Sequence, residues 1–319
     1  MSRSRAVALA FGWTLVFGSR LFGQHAGGTP APGVRLSGYL QARQTWQRHA
    51  GYTATLNRAR LTASGAVGSG FTWRIQGEFR TGNAGTGRPS VSLQDAFIRW
   101  ERAGLGIQAG QFKTPFSREF LTSLPDVESA DRSTVADSLA PRRDIGLMAD
   151  HAFGRSGTLA MGIFNGEGQN VTANRDSTVL GVVRATVRPI PSIGLGAHAA
   201  RYFGDSTRYG ADLSYEGRRL TVRAEYAAQA RDSLGGEHDR GWFLLGAVKP
   251  ARASQLFAKY EWFERPAVSA QQKNRAWTAG LHLWAAGTAV RLTVEYVSRK
   301  VGDPGRRVGV VLTQLQARF

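Results

Sequence analysis

Arginines recur in segments that alternate apolar and polar residues. LNRARLTASG (56–65) carries Arg58 and Arg60, and Arg74 and Arg99 occupy polar positions of two later segments. Side chains two residues apart in a β-strand point to the same face of the sheet, so each segment predicts a strand with its guanidinium groups on one side. A guanidinium donates paired hydrogen bonds to carboxylate and phosphate oxygens. The chemistry that these residues predict is anion binding.

Residue types suited to other chemistry are absent or scattered. The chain has no Cys, which excludes disulfide bonds and thiol chemistry. Its histidines show neither metal-ligand spacing nor a nucleophile signature, and they lie far apart at His25, His49, His151, His198, His238 and His282. No glycine-rich phosphate loop leads into a helix. We therefore predict no catalytic, cofactor-binding or metal-binding residues, and no nucleic-acid partner.

The segment GQFKTPFSREFLTS (110–123) interrupts the alternation and begins the longest connection in the chain. Its basic residues either line a narrow passage or hold the connection to a neighbouring wall. Each strand arginine likewise either contacts a solute or forms a salt bridge with an acid on its own face, such as Glu78. As candidates for anion binding and constriction the sequence offers Arg58, Arg60, Arg74, Arg99, Lys113, Arg118 and Arg132.

The alternating segments are long enough to cross a membrane. Strands of soluble sheets run about five or six residues, whereas these segments approach the roughly ten residues that a tilted strand needs to cross a bilayer. From residue 34 onward about sixteen strands are predicted. Tight connections such as RAG (102–104) alternate with longer polar ones such as NGEGQNVTANRDS (165–177). This asymmetry is typical of outer-membrane barrels.

The predicted fold class is therefore all-β, a transmembrane antiparallel β-barrel of about sixteen strands. In lipid every backbone polar group must pair within the protein, so the sheet must close. A sixteen-strand barrel encloses an aqueous channel. The third long connection, about 113–140, is predicted to fold inward and narrow that channel.

The first residues are typical of an export signal. Arg3 and Arg5 precede an apolar core from Ala6 to Phe17, which is shorter than the roughly 20 residues of a membrane-spanning helix. We assign 1–23 to a signal peptide, 24–33 to a short N-terminal linker and 34–319 to the barrel. The net charge of +18 leaves one soluble alternative, an exported β-protein that binds polyanions.

Several motifs resemble those of the phosphate-selective porin O/P family. The second strand of that family is similar to 56–65, its acid-Ala-aromatic fourth strand to 95–97, its acid-Arg-Ser triplet to 131–133, and its Arg-Asp-x-Gly strand start to 143–146. The likeness is specific over about 55–150. The recurring family motif Gly-x-Phe-Lys-x-Pro-Phe-Ser-x-Glu-x-x-x-Ser is matched by Gly110, Phe112, Lys113, Pro115, Phe116, Ser117, Glu119 and Ser123.

This resemblance implies a trimeric porin of the bacterial outer membrane that favours anions. Its implied partners are small phosphate-like anions, outer-membrane lipid and the barrel-assembly machinery, whose recognition signal the terminal Phe319 resembles. Family members known for phosphate uptake use many lysines, whereas this chain has five, so phosphate stays a candidate solute. We predict passive diffusion of small anions. The alternatives are a weakly selective general porin and a structural barrel with an occluded lumen.

Overall fold

Sixteen strands form one closed antiparallel barrel in a computed structural model of the chain. The structure describes residues 33–48, 50–80, 89–175, 177–232, 238–265, 272–301 and 305–319. The predicted signal over 1–23, and all of the predicted linker except residue 33, lie outside these ranges. The predicted all-β fold and its strand number are confirmed.

The strands run through the chain in order, each paired with its neighbours in sequence. They are β1 Arg35–Gln47, β2 Gly51–Gly68, β3 Phe71–Arg80, β4 Ser90–Arg102, β5 Leu105–Lys113, β6 Arg143–Ala152, β7 Gly157–Phe164, β8 Leu180–Ile190, β9 Ile193–Tyr202, β10 Ser206–Glu216, β11 Leu220–Arg231, β12 His238–Ala251, β13 Ser254–Arg265, β14 Gln272–Ala285, β15 Val290–Val301 and β16 Arg306–Arg318.

The first and last strands close the barrel. In that pairing Tyr39 lies opposite Arg318. The N–H of Gly38 donates to the carbonyl of Phe319 at 2.9 Å, and the N–H of Phe319 donates to the carbonyl of Gly38 at 3.1 Å. Every described strand therefore has a partner on both sides, which is the condition for a sheet that lies in lipid.

Alternation in the sequence becomes alternation between lipid and lumen. In β15 Arg291, Thr293 and Glu295 are buried on the inner face, whereas Val294 and Tyr296 are 39% and 51% exposed on the outer face. In this strand the outer face is thus apolar and the inner face is polar and charged. The faces assigned from strand parity hold for this strand.

A bulge between β3 and β4 breaks that parity. Gln76 of β3 pairs with Asp95 of β4, whereas the next residue, Gly77, pairs with Leu93. The skipped residue, Gln94, is buried together with Asp95. A bulge places two residues of one strand opposite one residue of its neighbour. Here it turns two successive polar side chains away from the exposed outer face.

The connection between β5 and β6 contains the short helices α1, Arg118–Leu121, and α2, Thr134–Leu139, separated by a 3-10 turn at Leu124–Asp126. We call residues 114–142 the inward loop, because its side chains pack inside the barrel. None of the helices in the described residues is long and apolar enough to cross a membrane. The principal apolar cluster joins this loop to the wall, through Phe112, Phe116, Phe120, Val135, Leu139, Phe243, Leu245, Phe257 and Phe263.

Two glycines permit this close packing. Gly110 has a φ of +124°, and a Cβ there would lie 2.2 Å from the carbonyl oxygen of Ala96. A Cβ at Gly241 of β12 would lie 2.4 Å from a methyl group of Val135 in α2. The first glycine lets β5 approach β4 just before the inward loop begins, and the second lets α2 lie directly on the wall.

Candidate functional site

The inward loop crosses the lumen and binds the wall opposite its own base. Helix α2 packs on β11, β12 and β13. Charged wall residues hold the rest of the loop. Glu295 accepts from the N–H of Ala130 at 2.9 Å, and Lys259 donates to Ser129 Oγ at 2.9 Å. The predicted inward fold of this connection is confirmed, and the charged inner face is what anchors it.

The loop also descends toward the short-turn end of the barrel, which is the end that carries the tight connections and both termini of the sheet. Arg118 Nη2 lies 2.7 Å from Glu216 Oε1 at the last residue of β10. Arg318 at the end of β16 lies 2.7 Å from Asp126 and also donates to the carbonyl of Pro125. The loop therefore spans the width of the lumen and part of its depth.

Serine side chains begin both helices of the loop. Ser117 Oγ accepts from the N–H of Phe120 at 3.0 Å, and Ser133 Oγ accepts from the N–H of Ala136 at 3.2 Å. Glu119 joins the two helices, because its carboxylate accepts from both the N–H and the hydroxyl of Ser133. Such side-chain caps satisfy the N–H groups that a helix leaves free at its start.

Replacing Glu119 by alanine is expected to loosen the inward loop. The buried N–H of Ser133 would lose its acceptor, which costs about 1–3 kcal/mol. We expect open-channel current noise in planar bilayers to rise several-fold while the barrel remains closed. The matched control is Ser123→Ala, at an exposed loop position. Noise equal to that of the unsubstituted protein would show that Glu119 does not hold the loop.

Two of the predicted site residues, Lys113 and Arg132, donate hydrogen bonds to backbone carbonyls of the inward loop. Lys113 Nζ donates to the carbonyls of Phe120 and Leu121 at 2.7 and 3.0 Å, and it also reaches Thr122. The Arg132 guanidinium donates to three carbonyls of the same helix end, at 2.9 to 3.1 Å, and lies over the ring of Phe120. Cations at a helix C-terminus are stabilised by its free carbonyls. In this conformation both side chains fix the shape of the loop.

Burial changes the ionisation of groups in the inward loop. It lowers the pKa of Arg132 to about 10, which still leaves that side chain charged at neutral pH. The side chain of Asp131 is half exposed, and the hydrogen bonds and charge of Arg43 hold its pKa below the usual value. Asp131 thus remains an anion and clamps Arg43 of β1 with two bonds, at 2.8 and 2.9 Å.

Four arginines lie along the inner face of β2 and β3, and we call them the arginine patch: Arg58, Arg60, Arg74 and Arg80. A single acid, the fully buried Glu78, binds both Arg60 and Arg80. Arg58 has one long hydrogen bond to Gln41, at 3.4 Å, and Arg74 is exposed above the ring of Phe97. Neither forms an ion pair within the described residues. The patch thus carries four positive charges against one negative charge.

Other predicted arginines are neutralised by neighbouring acids. Arg99 binds Asp150 through two bonds of 2.5 and 2.9 Å and also contacts Glu101 at 3.2 Å. Arg118 is buried and bound to Glu216. The structure places Arg58 and Arg60 two residues apart on the inner face of β2, and Arg74 on β3 opposite Ser64, four residues farther toward the short-turn end. Arg99 and Arg118 lie in separate ion pairs. Whether any of the seven candidates contacts an anion stays a prediction.

Sequence reasoning missed several residues of the lumen. Arg43 occupies a polar position of the alternating segment QARQTW, so strand parity could have placed it on the inner face. Arg143 follows the inward loop and binds Asp95 at 2.7 Å. Arg208 donates to the carbonyl of Leu139, and no periodic signal predicts that contact.

A closed sixteen-strand barrel with an apolar exterior, a charged lumen and a loop folded into it defines a porin of the bacterial outer membrane. Porins are channels rather than enzymes. The sequence model of the family described as phosphate-selective porin O and P matches residues 38–241. The chain belongs to that family.

Solved porin structures share this fold at low sequence identity. An anion-selective porin from Comamonas acidovorans is 13% identical with a TM-score of 0.68, and the match covers 90% of this chain and 100% of that one. The trimer form of OmpT from Vibrio cholerae is 13% identical with a TM-score of 0.66, covering 91% and 100%. The channel DcaP of Acinetobacter baumannii is 13% identical with a TM-score of 0.65, covering 90% and 97%. Among curated proteins no sequence gives a significant match.

Proposed function

We propose that this porin conducts small anions by passive diffusion and prefers them to cations. The observation that supports this is the arginine patch, in which Glu78 is the only acid among the described residues that forms an ion pair with Arg58, Arg60, Arg74 or Arg80. A charged lumen with low-dielectric walls focuses the field and raises the local concentration of counter-ions. Of the seven candidate residues, Arg58 and Arg74 are the most available to a solute, because neither forms an ion pair within the described residues.

The inward loop is the constriction in this proposal. It places its neutralising aspartates, Asp126 and Asp131, on arginines of β16 and β1. Neither aspartate forms an ion pair with the arginine patch on β2 and β3, although Asp131 is close enough for its charge to act on Arg58. An anion passing the loop would therefore have basic side chains beside it on the β2–β3 wall. Conduction needs binding that is favourable but shallow, which suits exposed guanidinium groups better than a closed cage.

Phosphate belongs to the proposal as one candidate solute. The family description names phosphate selectivity, and a guanidinium group can bind phosphate oxygens through paired hydrogen bonds.

A homotrimer is proposed from the trimer form in which OmpT has been solved. The other proposed partners are outer-membrane lipid and, during assembly, the barrel-assembly machinery. The proposal includes no catalytic activity and no cofactor.

The test is the reversal potential of the purified protein in a planar bilayer under a tenfold potassium chloride gradient. The expected reversal potential has the sign set by chloride. Addition of phosphate at millimolar concentration is then expected to lower the chloride current. A reversal potential set by potassium would refute the anion preference. Chloride current that is insensitive to phosphate would refute the phosphate proposal and leave anion preference intact.

A weakly selective general porin is the second candidate. It is favoured by the ion pairs that neutralise other basic lumen residues, including Arg184 with Asp212 at 2.6 Å and Arg223 with Glu128 at 2.7 Å. In that case the reversal potential would lie close to zero although the bilayer conducts. A bilayer that stays silent would instead support the structural barrel with an occluded lumen.

A further inference from the structure

Exposed arginines surround the short-turn end of the barrel. Four of them lie in or beside different short turns, and we call them the turn-end arginines: Arg102, Arg155, Arg218 and Arg252. They belong to the connections β4–β5, β6–β7, β10–β11 and β12–β13, so they are distributed around the circumference. Arg35, Arg188 and Arg219 are exposed at the same end.

Acidic residues do little to neutralise this end. In the described short turns and the two residues on either side of each, the only acids are Glu101 and Glu216. Both are already bound by lumen arginines, Glu101 by Arg99 at 3.2 Å and Glu216 by Arg118 at 2.7 Å. The turn-end arginines therefore form an exposed positive ring at the short-turn end of the barrel.

Apolar side chains border this ring on the outer face. Arg155 follows Phe153, which is 56% exposed, and Arg218 precedes Leu220, which is 42% exposed. Arg102 lies two residues after Trp100, on the same strand face. Such arginines lie where the hydrocarbon ends and the headgroups begin, and their stems can cover apolar surface while the charge stays in the headgroup layer.

A groove in the outer face begins close above one of these arginines. It has a volume of about 710 Å³ and is apolar, with walls formed by β12–β16. Val248 and Leu256 pair with each other near the β12–β13 turn that carries Arg252. The small residues Gly246 and Ala258 hollow out its middle. The apolar lining of the groove can accommodate an acyl chain, and the positive charge of Arg252 below it can bind an acidic headgroup.

We propose that the short-turn end binds anionic phospholipid from the periplasmic leaflet of the outer membrane. The acidic headgroups would contact the turn-end arginines, and one acyl chain would occupy the groove above Arg252. The short turns of an outer-membrane barrel face the periplasm, which places the ring in that leaflet. Basic residues at an anionic membrane surface attract it over about one Debye length. This lipid site does not depend on which solute the channel conducts.

The test is native mass spectrometry of the full-length mature barrel in detergent, with equal amounts of phosphatidylglycerol and phosphatidylcholine. The unsubstituted protein is expected to retain phosphatidylglycerol at least about tenfold more than phosphatidylcholine. The fourfold variant Arg102→Gln, Arg155→Gln, Arg218→Gln and Arg252→Gln is expected to lose most of that preference. A matched control removes four exposed arginines at the opposite end: Arg48→Gln, Arg275→Gln, Arg306→Gln and Arg307→Gln.

Gly246→Leu tests the groove separately. A Cβ at Gly246 would meet no atom within 4 Å, so the barrel can accept the larger side chain. This variant is expected to retain fewer lipids of both kinds at an unchanged ratio. Heat-modifiable gel mobility verifies that each variant is a closed barrel. Equal retention of the two lipids by the unsubstituted protein, or an equal loss of preference in the control, would overturn the proposal.

Discussion

Replacing both Arg58 and Arg60 by alanine is expected to lower the ratio of anion to cation permeability about fivefold. The substitution removes two of the four positive charges of the arginine patch and leaves Glu78 with Arg80 as its partner. Two unit charges a few ångströms from a permeating ion shift its energy by about 1 kcal/mol or more after screening. The measurement is the reversal potential in a potassium chloride gradient.

The control for this experiment removes the same charge from the outer face. Arg275 and Arg307 are exposed and share the strand faces of the lipid-facing residues Trp277 and Val311. The variant Arg275→Ala with Arg307→Ala should keep the selectivity of the unsubstituted protein. Equal effects of the two double variants would mean that overall charge, rather than the arginine patch, sets the permeability ratio.

Replacing residues 116–140 by a short Gly-Ser linker is expected to raise the single-channel conductance two- to fourfold, roughly in line with the lumen of an unobstructed sixteen-strand barrel. The loop fills part of the lumen and contacts β1 and β10–β16. It takes no part in the strand pairing that closes the barrel. The sheet can therefore still close. Selectivity should fall as well, because ions would pass farther from the arginine patch.

An outer connection supplies the comparison for this deletion. Residues 172–175, between β7 and β8, are exposed, and their replacement by Gly-Ser-Gly-Ser leaves the inward loop in place. That variant should conduct as the unsubstituted protein does. If the loop deletion left the conductance unchanged, the narrowest part of the pathway would have to lie elsewhere.

Much of the barrel could be predicted because its rules are local. Alternation along β15 places Arg291 and Glu295 inside and Tyr296 outside without knowledge of any partner strand. The inward fold of the β5–β6 connection was predicted from its length and its place as the third long loop, by analogy with general porins. Local rules fail where the register shifts, as at Gln94 and Asp95, since a bulge is not visible in the alternation of one strand.

The roles of individual cations were harder to predict, because they depend on distant partners. Arg118 and Glu216 are 98 residues apart in the chain, yet they form an ion pair. Lys113 carries the family motif, but its target is a set of backbone carbonyls that exists only when α1 has formed. Strand alternation predicts which side chains face the lumen. Which of the charged side chains remain without an ion pair depends on the contacts of the folded inward loop.

The position of the inward loop has a consequence for biogenesis. Residues 114–142 precede most of the strands that hold them, since only β1 and β5 come earlier in the chain and their other anchors lie on β9–β16. The last of these anchors, Arg318, is the penultimate residue of the chain. The aromatic side chains of the loop therefore meet their packing partners on β12 and β13 only when those strands are in place. A barrel whose last strand has not paired therefore lacks the Arg318 contacts that hold one end of the inward loop.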